Sequence, residues 1–270
     1  MDYDLAAALS ANGVLARGNP LINELSIGLD SPLVPPLPKD IDGPLARGLG
    51  KHGRFEGDVS MTRQDAAIGD NVNFQPDLFA ELLALVDEFG DDSPVTGPRS
   101  VVNLRVMQES KYRRFLSCQK ENKQLDYNVG RVQLSYGEAA FTLEFMANGT
   151  DGILTVPTLT SFFRDQKFPD NWHRRPTVAT FNIVGETSFN VYSPYPVGPG
   201  ANNADGVYVP NGDDVLDVCI LYNNLVAVKL PAVLLNTTGL LRENIDFLLG
   251  QMHNLFPSCP TAYPAGPANV

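Results

Sequence analysis

Arg131 and Glu138 stand seven residues apart in Gly130-Arg-Val-Gln-Leu-Ser-Tyr-Gly-Glu138, which runs on into Ala139, Ala140, Phe141, Leu143, Phe145 and Met146. The apolar residues recur at helical spacing, and seven steps of about 100° return almost to the starting direction, so both side chains belong to one helix face. A carboxylate and a fixed cation leaning over one spot from an apolar wall can hold and move a proton while charge develops nearby. The same two residues would equally form a solvated ion pair or a single buried salt bridge, and the spacing alone leaves both readings open.

A second group of chemically able residues lies upstream, in His52-Gly-Arg-Phe-Glu-Gly-Asp-Val-Ser-Met-Thr-Arg63. Here the Glu56 carboxylate, the Gly57 carbonyl and the Ser60 hydroxyl offer three oxygens to one hard cation, and glycine at 57 lets the backbone turn its carbonyl inward. Magnesium takes near-octahedral oxygen ligation and keeps several waters, so this set would be a partial cage. The competing reading is a turn leading into a helix, with Ser60 or Thr62 as N-cap and Asp65 closing a Thr-x-x-Asp box.

Together these residues resemble the haem-thiolate peroxidases, the family of chloroperoxidases and unspecific peroxygenases, and particularly its longer members. The hallmark is Glu-Gly-Asp-x-Ser, present as residues 56–60, and the likeness continues through Gly69-Asp70-Asn71, Phe74, Ser161-Phe-Phe163, Pro169-Asp170 and Arg174. The resemblance implies a mainly α domain of many helices with a small β element, spanning residues 1–270, and a haem b that uses hydrogen peroxide to oxidise or oxygenate a small hydrophobic substrate. It assigns the acid–base role to Glu138 and charge stabilisation to Arg131. Magnesium at Glu56, Gly57 and Ser60 would sit beside a haem propionate, and Phe55 and Phe141 would wall the pocket unless they are ordinary core. Cys219 and Cys259 match the paired cysteines that close a disulfide in the longer members. Relatives carry a Pro-Cys-Pro whose thiolate binds the iron, and none precedes the Glu-Gly-Asp here, so the chain reads as N-terminally truncated. Ser258-Cys259-Pro260 is the nearest approach, at the opposite end. A relative that keeps the fold and magnesium but binds a hydrophobic small molecule without catalysis is the alternative.

Composition narrows the field further. A chain of 270 residues, 43% hydrophobic and 19% charged, can bury a substantial core. Its formal charge of −11 repels phosphate backbones, so nucleic acid is not an expected partner. No apolar run reaches the roughly 18 residues of a membrane span, and the longest, Val226 to Leu235, contains Lys229 and Pro231, so no membrane partner is expected. Met1 is followed by Asp2 and Asp4 rather than a basic and then apolar stretch, so no signal peptide is read. Secretion is implied by the resemblance, and Asn148-Gly-Thr150 and Asn236-Thr-Thr238 are glycosylation acceptors. The three cysteines and scattered His52, His173 and His253 make no zinc spacing, and neither a nucleophile elbow nor a P-loop is present. Cys118 reads as an unpaired, half-buried thiol on a helix.

The elements that must carry these residues follow from punctuation and period. Asp4 to Ala16 and Pro20 to Ile27 predict short helices, and five prolines between Leu29 and Gly50 predict an extended run. A helix follows Pro76, with Leu78, Phe79, Leu82, Leu83, Val86 and Phe89 as its stripe and Gly90 as its stop. Pro98 predicts the start of another, with Val102, Val106, Tyr112, Phe115 and Leu116 inward. Gly130 to Ala147 is the helix of Arg131 and Glu138, and Thr158 to Gln166 a shorter one. Thr177 to Val184 alternates and is β-branched, which predicts a strand, whereas Ser193 to Gly212 reads as a long loop with room for a hairpin. Val215 to Val228 fits a strand or a buried helix, and Gly239 to Asn254, capped by Thr238, closes the pattern as a helix.

Overall fold

A computed structural model of the chain describes residues 59–65, 67–70, 73–223 and 238–260. The expected elements upstream of Val59 lie outside the described residues, as do Phe55, Glu56, Gly57 and Asn236. The described residues divide into two compact units, one ending at Gly212 and the other beginning at Asp213. The architecture is mainly α with small antiparallel β elements, as the sequence predicts. Among the described residues, no helix is long and apolar enough to cross a membrane.

In the first unit, α1 spans Pro76–Phe89, with proline in its first turn, where a missing N–H costs nothing. Leu78, Phe79, Leu82, Leu85 and Val86 are its buried stripe. Gly90 ends it by donating its N–H to the Val86 carbonyl at 2.8 Å. A Cβ there would lie 2.5 Å from the Val86 carbonyl oxygen and 2.7 Å from that of Val101, so the close approach requires glycine. The chain then forms a hairpin, β1 at Asp91–Ser93 against β2 at Gly97–Val101.

That hairpin corrects the expected helix start at Pro98. Proline's fixed φ suits an edge strand as well as a first helical turn, and Gly97, at φ +99°, turns the chain instead. Helix α2, Leu104–Glu121, starts where Asn103 accepts the Val106 N–H at 3.0 Å and donates to the Phe89 carbonyl at 2.9 Å. Its buried face is not the expected apolar stripe, because Glu109, Ser110, Lys111 and Arg114 are inside with Val106, Met107, Phe115 and Cys118, while Leu116 is exposed.

Helix α3, Val129–Met146, is capped by Asn128, whose side chain accepts the Arg131 N–H. It packs on α2 and on α5, Phe181–Tyr192, with the small Ala139 and Ala140 fully buried. Helix α5 overturns the strand expected over Thr177 to Val184. Thr180 accepts the Ile183 N–H as an N-cap, and packing on α3 outweighs the modest helix aversion of β-branched residues. Helix α4, Val156–Phe163, contributes Phe162 to a cluster of edge-to-face rings with Phe168 and Trp172. The expected hairpin within residues 193–212 is present. Its strands β4, Gly200–Asn202, and β5, Tyr208–Pro210, extend β3, Asp126–Tyr127, into a three-stranded antiparallel sheet beside the start of α3.

The second unit contains α6, Val218–Asn223, and α7, Gly239–Leu255. The open choice over Val215 to Val228 resolves as helix for the described residues 218–223. Thr238 occupies the N-cap position of α7, although its side chain makes no capping bond. Tyr222, Ile245, Leu249 and Cys259 form the small core, closed by the Cys219–Cys259 disulfide across 40 residues.

Candidate active site

Helix α3 places Glu138 inside, with the residue 2% exposed, between Tyr136 and Ala139. Arg131 lies nearer the helix start and is partly exposed. Its guanidinium donates to the Asp126 carbonyl and lies 3.6 Å from the Asp126 carboxylate, one turn back from the helix start. Helical side chains lean toward the N-terminus, which suits the turn of Arg131 back to Asp126. Phe141, three residues after Glu138, is half-buried and stacks on Phe145 with ring centroids 5.1 Å apart.

The second predicted region is described from Val59 onward, and it is tightly held. Val59 has φ +67°, an outlier for a β-branched residue, which persists only where its surroundings over-determine it. Its N–H donates to Asp65 Oδ1 at 3.0 Å, and its carbonyl accepts from Lys111 Nζ at 2.7 Å. The Ser60 carbonyl accepts from Arg114 Nε at 2.8 Å. Ser60 is buried, and its hydroxyl accepts the Thr62 and Arg63 N–H groups, so it shapes a turn rather than capping a helix. Asp65, instead of closing a capping box, is a buried acceptor for Asn122 Nδ2 at 3.1 Å and the Cys118 thiol at 3.2 Å, with the Arg114 guanidinium 3.8 Å away.

Lys111, Arg114, Cys118 and Asp65 went unmarked by sequence periodicity as a buried polar group. Their signal was a helix whose inward positions are charged, which the expected apolar stripe concealed. Burial pulls the Lys111 ammonium down to about 7, while the Glu138 carboxylate is the strongest influence favouring its charged form. Burial likewise pushes the Cys118 thiol well above its ordinary range; nearby Arg114 opposes this and Asp65 adds to it. Cys118 is thus fully buried rather than half-buried, and it is held as a neutral thiol.

A cavity of about 280 Å³ lies between α1 and α2, lined by Met61, Leu78, Leu82, Leu85, Arg113 and Arg114; neither Arg131 nor Glu138 borders it. Among the described residues no cluster of His, Cys, Asp and Glu is placed to hold a metal. The Asn148 side chain accepts the Thr150 N–H at 3.1 Å and donates to the Asn171 carbonyl at 3.3 Å, so this sequon shapes a turn.

The described residues are thus those of a mainly helical protein with a buried carboxylate and a partly exposed arginine on one helix. The sequence profile described as "Peroxidase, family 2" matches residues 1–177, well over half of the 270-residue chain. The chain belongs to this family of haem-thiolate peroxygenases and is an oxidoreductase of the peroxidase and peroxygenase type. It is similar to an aromatic peroxygenase of Cyclocybe aegerita, at 29% identity over 98% of this chain and 70% of the relative. It is also similar to an aromatic peroxygenase of Coprinellus radians, at 29% identity over 70% of this chain and 67% of the relative.

Family membership implies haem, and the described residues fit its distal side better than its axial one. A buried acid followed by a half-buried pair of stacked phenylalanines is a suitable face for a flat apolar group. None of the three cysteines fits an axial thiolate, since Cys118 is a buried thiol bonded to a carboxylate and Cys219 and Cys259 are joined. For magnesium, the described share of the proposed set is one oxygen, Ser60 Oγ, already fixed by two backbone amides; the Val59 and Ser60 carbonyls are taken by Lys111 and Arg114.

Proposed function

We propose that this chain uses hydrogen peroxide to oxidise or oxygenate small hydrophobic organic molecules at a haem b, with Glu138 as its acid–base. The observation that carries this reading is a carboxylate buried on α3 within a family of peroxidases. Haem, when bound, supplies the iron at which the peroxide O–O bond is broken. Glu138 takes a proton from one peroxide oxygen and returns it to the other, which leaves as water. Arg131, anchored by Asp126 at the start of the same helix, adds fixed positive charge facing the negative charge that develops as the bond parts. Phe141 and Phe55 supply apolar wall for substrate and porphyrin. Glu56, Gly57 and Ser60 would be the residues to hold magnesium, which would add divalent positive charge to the site, and none of Cys118, Cys219 and Cys259 is available as a thiolate ligand to iron.

The relatives' printed activity is aromatic peroxygenation, and we assign this chain the same broad reaction on hydrophobic substrates. Secretion and glycosylation belong to the same reading, supported by the acidic composition and the two sequons.

The deciding variant is Glu138→Gln, which keeps size and removes the group that can take up and return a proton. In haem-loaded protein it should lower peroxide-dependent oxidation by about 100-fold or more, the usual reach of a general acid–base, while the haem absorption band is retained. Unchanged turnover with haem bound would remove Glu138 from the mechanism.

A further inference from the structure

We propose that Tyr195, stacked on Tyr112 and hydrogen-bonded to Glu109, is a surface site of one-electron oxidation, at which the protein oxidises phenols without admitting them to its interior. The oxidising equivalents come from hydrogen peroxide through the peroxidase activity of the family. The inner end of the route rests on the reading of Glu138 given above.

Three observations carry it. First, the Tyr195 hydroxyl donates to Glu109 Oε1 at 2.6 Å, and that carboxylate is fixed by Arg105 at 2.7 Å and Arg113 at 3.1 Å. A phenol that has lost an electron is a far stronger acid than a carboxylic acid, so even a carboxylate between two guanidinium groups takes its proton. The Tyr112 ring lies nearly parallel to that of Tyr195, with centroids 4.6 Å apart, so a second electron-rich ring shares the positive charge as it forms. Arg105, 5.5 Å from the Tyr195 ring, opposes electron loss, but its side chain is 45% exposed and paired with Glu109, so water and the carboxylate screen it.

Second, the site is connected to the interior. Tyr136 is buried on α3 two residues before Glu138, and its ring meets that of Tyr192, the last residue of α5, edge-to-face at 5.2 Å. The Tyr195 N–H donates to the Tyr192 carbonyl at 3.1 Å, so a single turn of chain joins the two ring pairs. The hydroxyls decide where a radical comes to rest. That of Tyr136 has no hydrogen-bond partner among the described residues, and that of Tyr192 donates to the Val197 carbonyl, a far weaker base than a carboxylate. Third, Tyr195 is half-buried in a stretch whose Ser193, Pro194 and Pro196 are exposed, so a donor too large for an internal pocket can reach it.

In the oxidising step Tyr195 loses one electron inward and its hydroxyl proton to Glu109, leaving a neutral phenoxyl radical and a protonated carboxyl. A phenol at the surface then gives one electron to that radical, Glu109 returns its proton to the Tyr195 oxygen, and the phenol's own proton goes to water. Two such turns convert two phenols into phenoxyl radicals and, with the two protons released, reduce one hydrogen peroxide to two waters.

The test is spin trapping on the full chain. In haem-free protein, photo-excited ruthenium tris(bipyridine) with persulfate is the oxidant, a nitroso compound traps tyrosyl radicals, and peptide mass spectrometry locates them. Adducts should gather at Tyr195 and Tyr112, and Glu109→Gln should lower them by at least about tenfold, because the proton acceptor is gone. Tyr208, whose hydroxyl donates to the Gly198 carbonyl, should be trapped little in either protein. Adducts that follow exposure alone, or that persist in Glu109→Gln, overturn the proposal. Should Glu109→Gln fail to fold, Tyr195→Phe decides, because it keeps the stacked ring. In haem-loaded protein, peroxide should raise a tyrosyl electron paramagnetic resonance signal that Tyr195→Phe removes and Tyr136→Phe weakens. Oxidation of a phenol tethered to dextran should fall by at least about tenfold in Tyr195→Phe, while oxidation of a small free substrate stays within about twofold. An unchanged signal and unchanged dextran-phenol oxidation in Tyr195→Phe overturn the site. Trapping at Tyr195 together with full turnover in Glu138→Gln would uphold the site and overturn the acid–base role.

Discussion

Asp65→Ala should be among the most damaging single substitutions in the first unit, and its cost can be built from the contacts. Asp65 is fully buried and accepts from Val59 N–H, Asn122 Nδ2 and the Cys118 thiol, with Arg114 3.8 Å away. Alanine strands the Asn122 amide and the Val59 N–H, each a loss of about 1–3 kcal/mol when buried without an acceptor. It also removes the anion beside a guanidinium that is itself nearly buried, and breaking such a pair from one side costs about 3–5 kcal/mol. These costs overlap, because Arg114 keeps the Ser60 carbonyl and the polar gap admits water, so we expect a total of about 4 kcal/mol. Against a native stability of about 5–15 kcal/mol this is a large fraction. Asp65→Asn keeps an acceptor for Val59 N–H but presents an amide to Asn122 and no charge to Arg114, so about 2 kcal/mol should be lost. Urea unfolding followed by circular dichroism measures both, with an unchanged slope showing that the denatured state is not the cause. A loss below about 1 kcal/mol for Asp65→Ala would refute the argument that this carboxylate organises the 59–65 turn.

Two further expectations concern the second unit and pH. Opening the Cys219–Cys259 bond by replacing both residues with serine releases a loop closed across 40 residues, which by chain entropy should cost about 4 kcal/mol; an unchanged urea midpoint for the second unit would contradict it. Burial tends to raise the Glu109 pKa, but the Tyr195 hydroxyl at 2.6 Å and the Arg113 and Arg105 guanidinium groups outweigh it, leaving the net value lowered. A lowered folded-state value means the stabilisation is complete above the ordinary glutamate value of 4.5 and is lost as pH falls through the lower folded one. Glu109→Gln should therefore flatten the acid side of the stability curve, and a curve that falls as steeply as the parent's would show that other carboxylates govern it.

Much of this was legible because single residues carry strong local instructions. Pro76 and Gly90 bracket α1, and the 130–147 pattern located α3 to within a residue at each end. Where the sequence misled, two physical preferences were balanced and the third dimension decided. Pro98 satisfies a strand edge as readily as a helix start, and Gly97's left-handed backbone settled the matter. Thr177, Val178 and Thr180 have β character, yet Thr180 is also a good N-cap, and α3 offered a surface for a helix to pack on. The paired Arg131 and Glu138 were visible as a spacing, but that Arg131 turns to Asp126 was not, because Asp126 lies outside the helix whose period was being read. Lys111 and Arg114 were hidden for a related reason. On a helix read for apolar period, a charged residue scores as surface, and only the backbone carbonyls of Val59 and Ser60 show why these are inside.

That last feature explains why α2 tolerates such an inner face. A helix normally buries apolar side chains because unpaired charge is costly to desolvate, and α2 departs from this over the two turns that hold Lys111, Arg114 and Cys118. Each of those groups bonds to the 59–65 segment: Lys111 to the Val59 carbonyl, Arg114 to the Ser60 carbonyl with Asp65 nearby, and Cys118 to Asp65. The segment buries Val59 and Met61, but hydrophobic burial is non-directional, and the directed bonds from a rigid helix are what fix its backbone. The strained backbone at Val59 is then a product of that ordering, held by bonds to both its N–H and its carbonyl. Because α2 also packs on α3, the helix that orders this turn is also a packing partner of the helix that carries the buried Glu138.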